Sequence, residues 1–131
     1  MRQKQTMTTA TTAELDTEVS EEQEMREYRK QVAETILDQL GGRQMVRMTG
    51  TKNIAIENEG IGGVSFKIET TMFTKNKINH IKVILNGSDY YDVTFSSVRG
   101  SKIKQVSTHN DIDCFSLAPL FERETGMLTR L

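Results

Sequence analysis

At Gly41-Gly42 the spacing of apolar residues changes from three-and-four to two, and this switch constrains the fold more than any other feature of the chain. Before it, Met25, Tyr28, Val32, Ala33, Ile36, Leu37 and Leu40 recur at helical steps and line one stripe. Ser20 and Gln23 have capping-box spacing, and Glu21, Glu22 and Glu24 suit the positive end of a helix dipole. The pattern predicts an amphipathic helix over about 20–40, closed by the glycine pair. After the switch, alternation takes over. Gln44–Thr49 reads as a short strand, Thr49-Gly50-Thr51-Lys52 as a hairpin turn, and Ile54 and Ile56 alternate with polar neighbours. Val64, Phe66 and Ile68 oppose Ser65, Lys67 and Glu69, and Thr70–Asn79 reads as a polar, Lys-rich hairpin tip. His80–Leu85 is a β-branched run leading to Asn86-Gly87, a strong hairpin signal. Tyr91, Val93 and Phe95 then alternate with Tyr90, Asp92 and Thr94, and Arg99-Gly100 turns into Lys102–Ser107.

The chain closes on a second helix, over about 114–125, capped by Asp113 or Ser116 and ended by Gly126. Its apolar positions are Phe115, Leu117, Leu120 and Phe121, and Pro119 costs little only if it falls near the first turn. Hairpin-length connections between strands, with helices at the two ends, specify an α+β fold. The expectation is an N-terminal amphipathic helix, an antiparallel β-meander of five or six strands over about 43–107, and a short C-terminal helix. Residues 1–16 are Thr-rich and without periodicity, so they read as a disordered tail ahead of a single domain at 17–131.

Charge is nearly balanced, with 17 basic and 18 acidic side chains, so no global field draws the protein to nucleic acid or membrane. The balance is uneven along the chain. Residues 1–40 hold five basic and nine acidic groups, and residues 41–131 hold twelve and nine. No apolar run reaches the ~18 residues of a membrane helix, and Met1–Thr12 lacks the apolar stretch of a secretory signal. A soluble, cytoplasmic protein with no membrane partner is expected. The one cysteine, Cys114, allows no internal disulfide, and beside Phe115 it reads as a small buried hydrophobe rather than a nucleophile.

Metal-type ligands gather in one place, where His109, Asp111 and Asp113 would share one side of an extended segment and could serve a hard divalent ion. The competing reading, which we prefer, is a polar loop whose aspartates bend the chain and cap the helix. Gly60–Gly63 has no helix with a Lys-Ser/Thr opening after it, so it is no P-loop, and no cofactor is expected. A basic strand face is a stronger feature. Arg47, Lys52, Lys67, Lys75, Lys77, Lys82, Arg99, Lys102 and Lys104 lie mostly on strand or turn positions and, with Tyr90 as a stacking surface, could track a nucleic-acid backbone. Interleaved Glu57, Glu69, Asp89, Asp92 and Asp111 argue against it. The N-terminal helix outruns what a small sheet needs, and Val19, Met25 and Tyr28 are positions for packing on a partner or a second copy.

Ile36–Gly42, Met48–Asn53 (Met-Thr-Gly-Thr-Lys-Asn), Ile84–Asp92, Val98-Arg99-Gly100 and Leu120–Gly126 together resemble a family of small, functionally uncharacterised proteins of bacteriophages and mobile elements, mainly of Gram-positive hosts. The resemblance covers about residue 34 onward. Pro119 and the insertion around Thr70–Lys77 depart from it. It implies a phage or prophage origin and action in the host cytoplasm, and it supplies no catalytic or binding residues. With no convergent acid/base set, metal cage or cofactor loop in the chain, the reading is a non-enzymatic binding module acting through protein contacts, on a host factor or a second copy of itself. Nucleic-acid binding is the alternative.

Overall fold

The computed structural model describes residues 10–69 and 75–129, with side chains from residue 21 onward. The elements are α1 (Ala10–Leu40), α2 (Gly42–Thr49), β1 (Lys52–Glu57), β2 (Gly62–Lys67), a single 3-10 turn at Lys75–Lys77, β3 (His80–Leu85), β4 (Tyr91–Arg99), β5 (Lys102–Ile112) and α3 (Leu117–Thr125). The strands form one antiparallel sheet in the order β1-β2-β3-β4-β5. The fold is α+β, as the change of period requires.

Register assigns the sheet's two faces. Val64 pairs with Val83 and Phe66 with Ile81, while Ile81 and Val83 pair with Phe95 and Val93 on β4. All are buried on the inner face, under α1 and α3. From α1, Val32, Ala33, Ile36 and Leu40 reach this core. From α3, Leu117, Leu120 and Phe121 do so, and the Phe121 ring lies 6.4 Å from that of Phe66. α1 crosses the strands. The Tyr91 hydroxyl on β4 donates to Gln39 Oε1 at 2.6 Å, while Arg29 and Val32 pack on Gly62 of β2. Its N-terminal continuation therefore leads past β1.

Three expectations change. One is at the last strand, which runs to Ile112, so the sheet extends beyond 107 and takes in His109–Ile112, expected as a polar loop. Gln44–Thr49 is helical, not a strand, so the meander has five strands and starts at Lys52. Met45 and Thr49, four residues apart, are the buried positions, and Thr49 Oγ1 donates to the Met45 carbonyl at 2.7 Å. In a six-residue run, apolar residues at 45, 46 and 48 satisfy a helical face as well as an alternating one. Gly50, at φ 65°, caps this helix and is not a hairpin turn. Third, α1 begins at Ala10, so Ser20 and Gln23 lie inside it rather than at its N-terminus. Of the expected tail, residues 1–9 lie outside the described residues, as do residues 70–74 of the expected hairpin tip.

Asn86-Gly87 does open the β3–β4 hairpin. The left-handed residue, however, is Asp89 (φ 63°), and Asn86 Oδ1 holds the loop by accepting the Ser88 amide at 2.8 Å. α3 starts at Leu117, which places Pro119 in its first turn, where a missing N–H leaves no bond unmade. The chain then folds back on the α1–α2 corner, with Thr129 buried and bonded to Glu122 Oε2 through its amide and its hydroxyl, each at 2.9 Å.

Candidate functional site

The cations expected to share a strand face do not share one. Arg47 is on α2, and Tyr90 is in the β3–β4 hairpin, at the opposite end of β4 from Arg99. Lys67 and Lys82 point to the outer face, because Lys67 pairs with His80 and Lys82 with Ser65 and Thr94. Lys82 Nζ is engaged by Glu59 Oε1 at 2.7 Å. Arg99, Lys102 and Lys104 have the inner-face phase, since Arg99 is two pairs beyond Ser97 and four beyond Phe95, and Lys102 and Lys104 pair with Arg99 and Ser97. An alternating pattern in each strand could not show that these two sets lie on opposite sides.

What the structure brings together instead is a depression of about 600 Å³ lined by Asn76, Lys77, Ser97, Arg99, Lys102, Ile103 and Lys104. Asn79 positions its wall. The Asn79 amide donates to the Ser96 carbonyl at 3.0 Å, its side-chain Nδ2 donates to the Val98 carbonyl at 2.9 Å, and its Oδ1 accepts the Val98 amide at 2.8 Å. Lys77, Arg99, Lys102 and Lys104 have no acidic partner among the described residues. Lys77 belongs to the expected cations, whereas Asn76 and Ser97 lay outside that set. A usable signal was present: neither residues 70–79 nor residues 93–110 contain Asp or Glu.

His109, Asp111 and Asp113 are not brought together. His109 faces inward, with Nε2 3.1 Å from Glu124 Oε1 and its ring edge-on to Phe95. Asp111, at φ 57°, accepts from Asn86 Nδ2 at 2.9 Å. Asp113 Oδ1 accepts the amides of Phe115 and Ser116 at 2.9 and 2.8 Å and so shapes the entry to α3. The cause is a register shift between the Tyr91 and Val93 pairs, which breaks the period of two on β5. Among the described residues no three His, Cys, Asp or Glu side chains converge as a metal group. The Ser107 hydroxyl, donating at 2.8 Å, is the main cause holding the Glu124 carboxyl below its ordinary range, opposed by burial and aided by His109.

Cys114 is exposed rather than buried, and Phe115 stands 88% exposed in the turn before α3. Of the expected interaction positions, Met25 (51%) and Tyr28 (48%) are exposed on α1, while the Val19 side chain lies outside those described. On β1, Ile54 and Ile56 are also exposed. No helix among the described residues is long and apolar enough to cross a membrane.

On the outer face, burial, with Lys67 and Lys82 adding repulsion, pushes His80 below its ordinary value despite the opposing pull of Glu57. The native state thus holds a neutral imidazole where the unfolded chain takes up a proton near pH 6.5. Stability is complete above that pH and falls as pH drops from about 6.5 toward the folded value. The thermal midpoint of the wild-type chain should therefore decline from pH 7.5 to 5.5 more steeply than that of His80→Gln. Parallel curves would remove this assignment.

Comparison with protein-family models, curated proteins and solved structures finds no match to this chain.

Proposed function

We propose that this protein is a non-enzymatic, phage-type accessory protein that works as a binding module through protein–protein contact. One observation carries the reading. The apolar stripe of α1 that is buried at Val32, Ala33, Ile36 and Leu40 continues N-terminally into Met25 and Tyr28, which stand about half exposed. An amphipathic stripe that outlasts its own sheet has the pattern of a partner helix face. The resemblance of residues 34 onward to phage and mobile-element proteins supports action in a host cytoplasm, with a host factor or a second copy as partner. Nucleic-acid binding is the second reading, moved from the outer strand face to the depression at Lys77, Arg99, Lys102 and Lys104, cations that form no ion pair among the described residues.

One experiment separates the two. Immobilised wild-type chain is exposed to lysate of a Gram-positive host, with and without nuclease, at low and high salt. The first reading expects a protein partner that survives high salt and nuclease and is lost from a Met25→Glu/Tyr28→Glu variant. The second expects retained nucleic acid whose affinity falls by roughly two orders of magnitude for a fourfold rise in salt, given four phosphate contacts. Lys102→Glu/Lys104→Glu should abolish it. Retention of neither overturns both readings.

A further inference from the structure

The two edges of this sheet are finished differently. β5 has register shifts at two places, a left-handed residue at Asp111, and Lys102 and Lys104 along its length, all features that discourage a neighbouring strand. β1 has one irregularity, near its start, where Asn53 sits at φ 56° beside Lys52. From Ala55 to Glu57 it pairs regularly with β2, and its other side has no backbone partner among the described residues. Its side chains are open as well: Ile54 and Ile56 are 47% and 52% exposed, more than an apolar strand pair under a helix layer would be in a closed sheet.

We propose that β1 is the seam at which a second copy of this chain pairs, edge to edge and antiparallel, joining two five-stranded sheets into one of ten strands. The inference rests on the protein-contact reading and names its partner. Self-pairing is specified by what β1 presents. Ile56 pairs with Val64 and so has the inner-face phase, which Ile54 shares, whereas Ala55 pairs with Ser65 on the outer face. A two-fold axis at Ala55 sets Ile54 opposite Ile56 of the partner copy, twice, all on the inner face. The same axis brings Lys52 and Glu57 of opposite copies near one another at each end of the seam, on the outer face, so unlike charges meet and like charges do not. A slip of one residue would oppose isoleucines to outer-face positions, which fixes the register. The irregularity at Asn53 stops the pairing from running further. α1, which crosses the inner face from β4 toward β1, carries Met25 and Tyr28 past the same edge and adds apolar surface to the seam.

The test is a crosslink. Residues directly opposed in an antiparallel pair have Cα atoms about 4.5–5.5 Å apart, within disulfide range. In full-length chain with Cys114→Ser, Ala55→Cys should give a disulfide-linked dimer under mild oxidation, and Lys102→Cys on the other edge should not. Sedimentation of the wild-type chain should show a concentration-dependent dimer, and Ile56→Lys, a change at an exposed position, should leave a folded monomer. A monomer at every concentration, or a dimer in which Ala55→Cys crosslinks no better than Lys102→Cys, overturns the proposal. Such a failure leaves the protein-contact reading standing if the Met25/Tyr28 variant still loses a lysate partner. A dimer with the expected crosslink supports the seam whatever the lysate yields.

Discussion

Gly63→Ala is expected to destabilise the fold by about 3 kcal/mol or more. Gly63 pairs with Ile84 of β3 on one side and with Glu57 of β1 on the other, in the buried part of the sheet. A Cβ placed there would collide with the Val83 carbonyl oxygen and lie 2.9 Å from the Ile84 Cα. Both are backbone atoms of the neighbouring strand, so no rotamer change relieves the contact. β2 and β3 would have to move apart, with loss of their ladder. Overpacking by a methyl group ordinarily costs about 1–3 kcal/mol, and a clash with backbone belongs at the top of that range or beyond it. Against a total stability of about 5–15 kcal/mol, that is a large share. Gly87→Ala supplies the contrast, since nothing lies within 4 Å of a Cβ there and its φ is not in the left-handed region. It should be neutral or gain about 0.4–1 kcal/mol. Urea melts of the two variants check both. A Gly63→Ala chain that unfolds within about 1 kcal/mol of wild type would mean that β2 and β3 are not spaced as described.

Phe121→Ala should cost about 3–5 kcal/mol, and Phe115→Ala less than about 0.5 kcal/mol. The two phenylalanines are six residues apart, and the apolar pattern of the C-terminal helix claims both. Phe121 is 1% exposed, and its ring meets that of Phe66 at an interplanar angle of 39°. Removing it opens a cavity between α3 and the sheet. It also loosens the start of a chain segment that returns, through Glu122 and Thr129, to the α1–α2 corner. Phe115 precedes α3, in the turn that Asp113 closes with two amide bonds, and it touches little. Denaturant midpoints at unchanged slope would measure both effects. Equal losses at the two positions would contradict the assignment of α3 to Leu117–Thr125.

Phe121 and Phe115 mark where a local apolar pattern fixes burial and where it does not. Val64, Phe66, Ile81, Val83, Tyr91, Val93 and Phe95 alternate locally, and each is buried on one face, because a strand's side chains alternate whatever lies around it. The α1 stripe was legible for the same reason at a period of 3.6. The segment Gln44–Thr49 was not, since six residues do not separate the two periods and the burial of Met45 and Thr49 depends on where α1 ends. Cys114 and Phe115 misled because composition reports what a side chain prefers, whereas a turn held by Asp113 decides what it gets.

Charge shows the limit most plainly. Each cation's phase within its own strand could be read, yet Lys82 faces one side of the sheet and Lys102 and Lys104 the other. That assignment depends on pairing partners and on two shifts of register in β5, which no alternation announces. The same shifts scatter His109, Asp111 and Asp113 and draw His109 to Glu124. Element types and their order follow from contacts a few residues apart, so the linear chain carried them. The gathering of Lys77 with Arg99, Lys102 and Lys104, and the contrast between an open β1 and an irregular β5, follow from hydrogen bonds between segments about twenty residues apart, such as Asn79 with Val98, and these exist only once the sheet has closed.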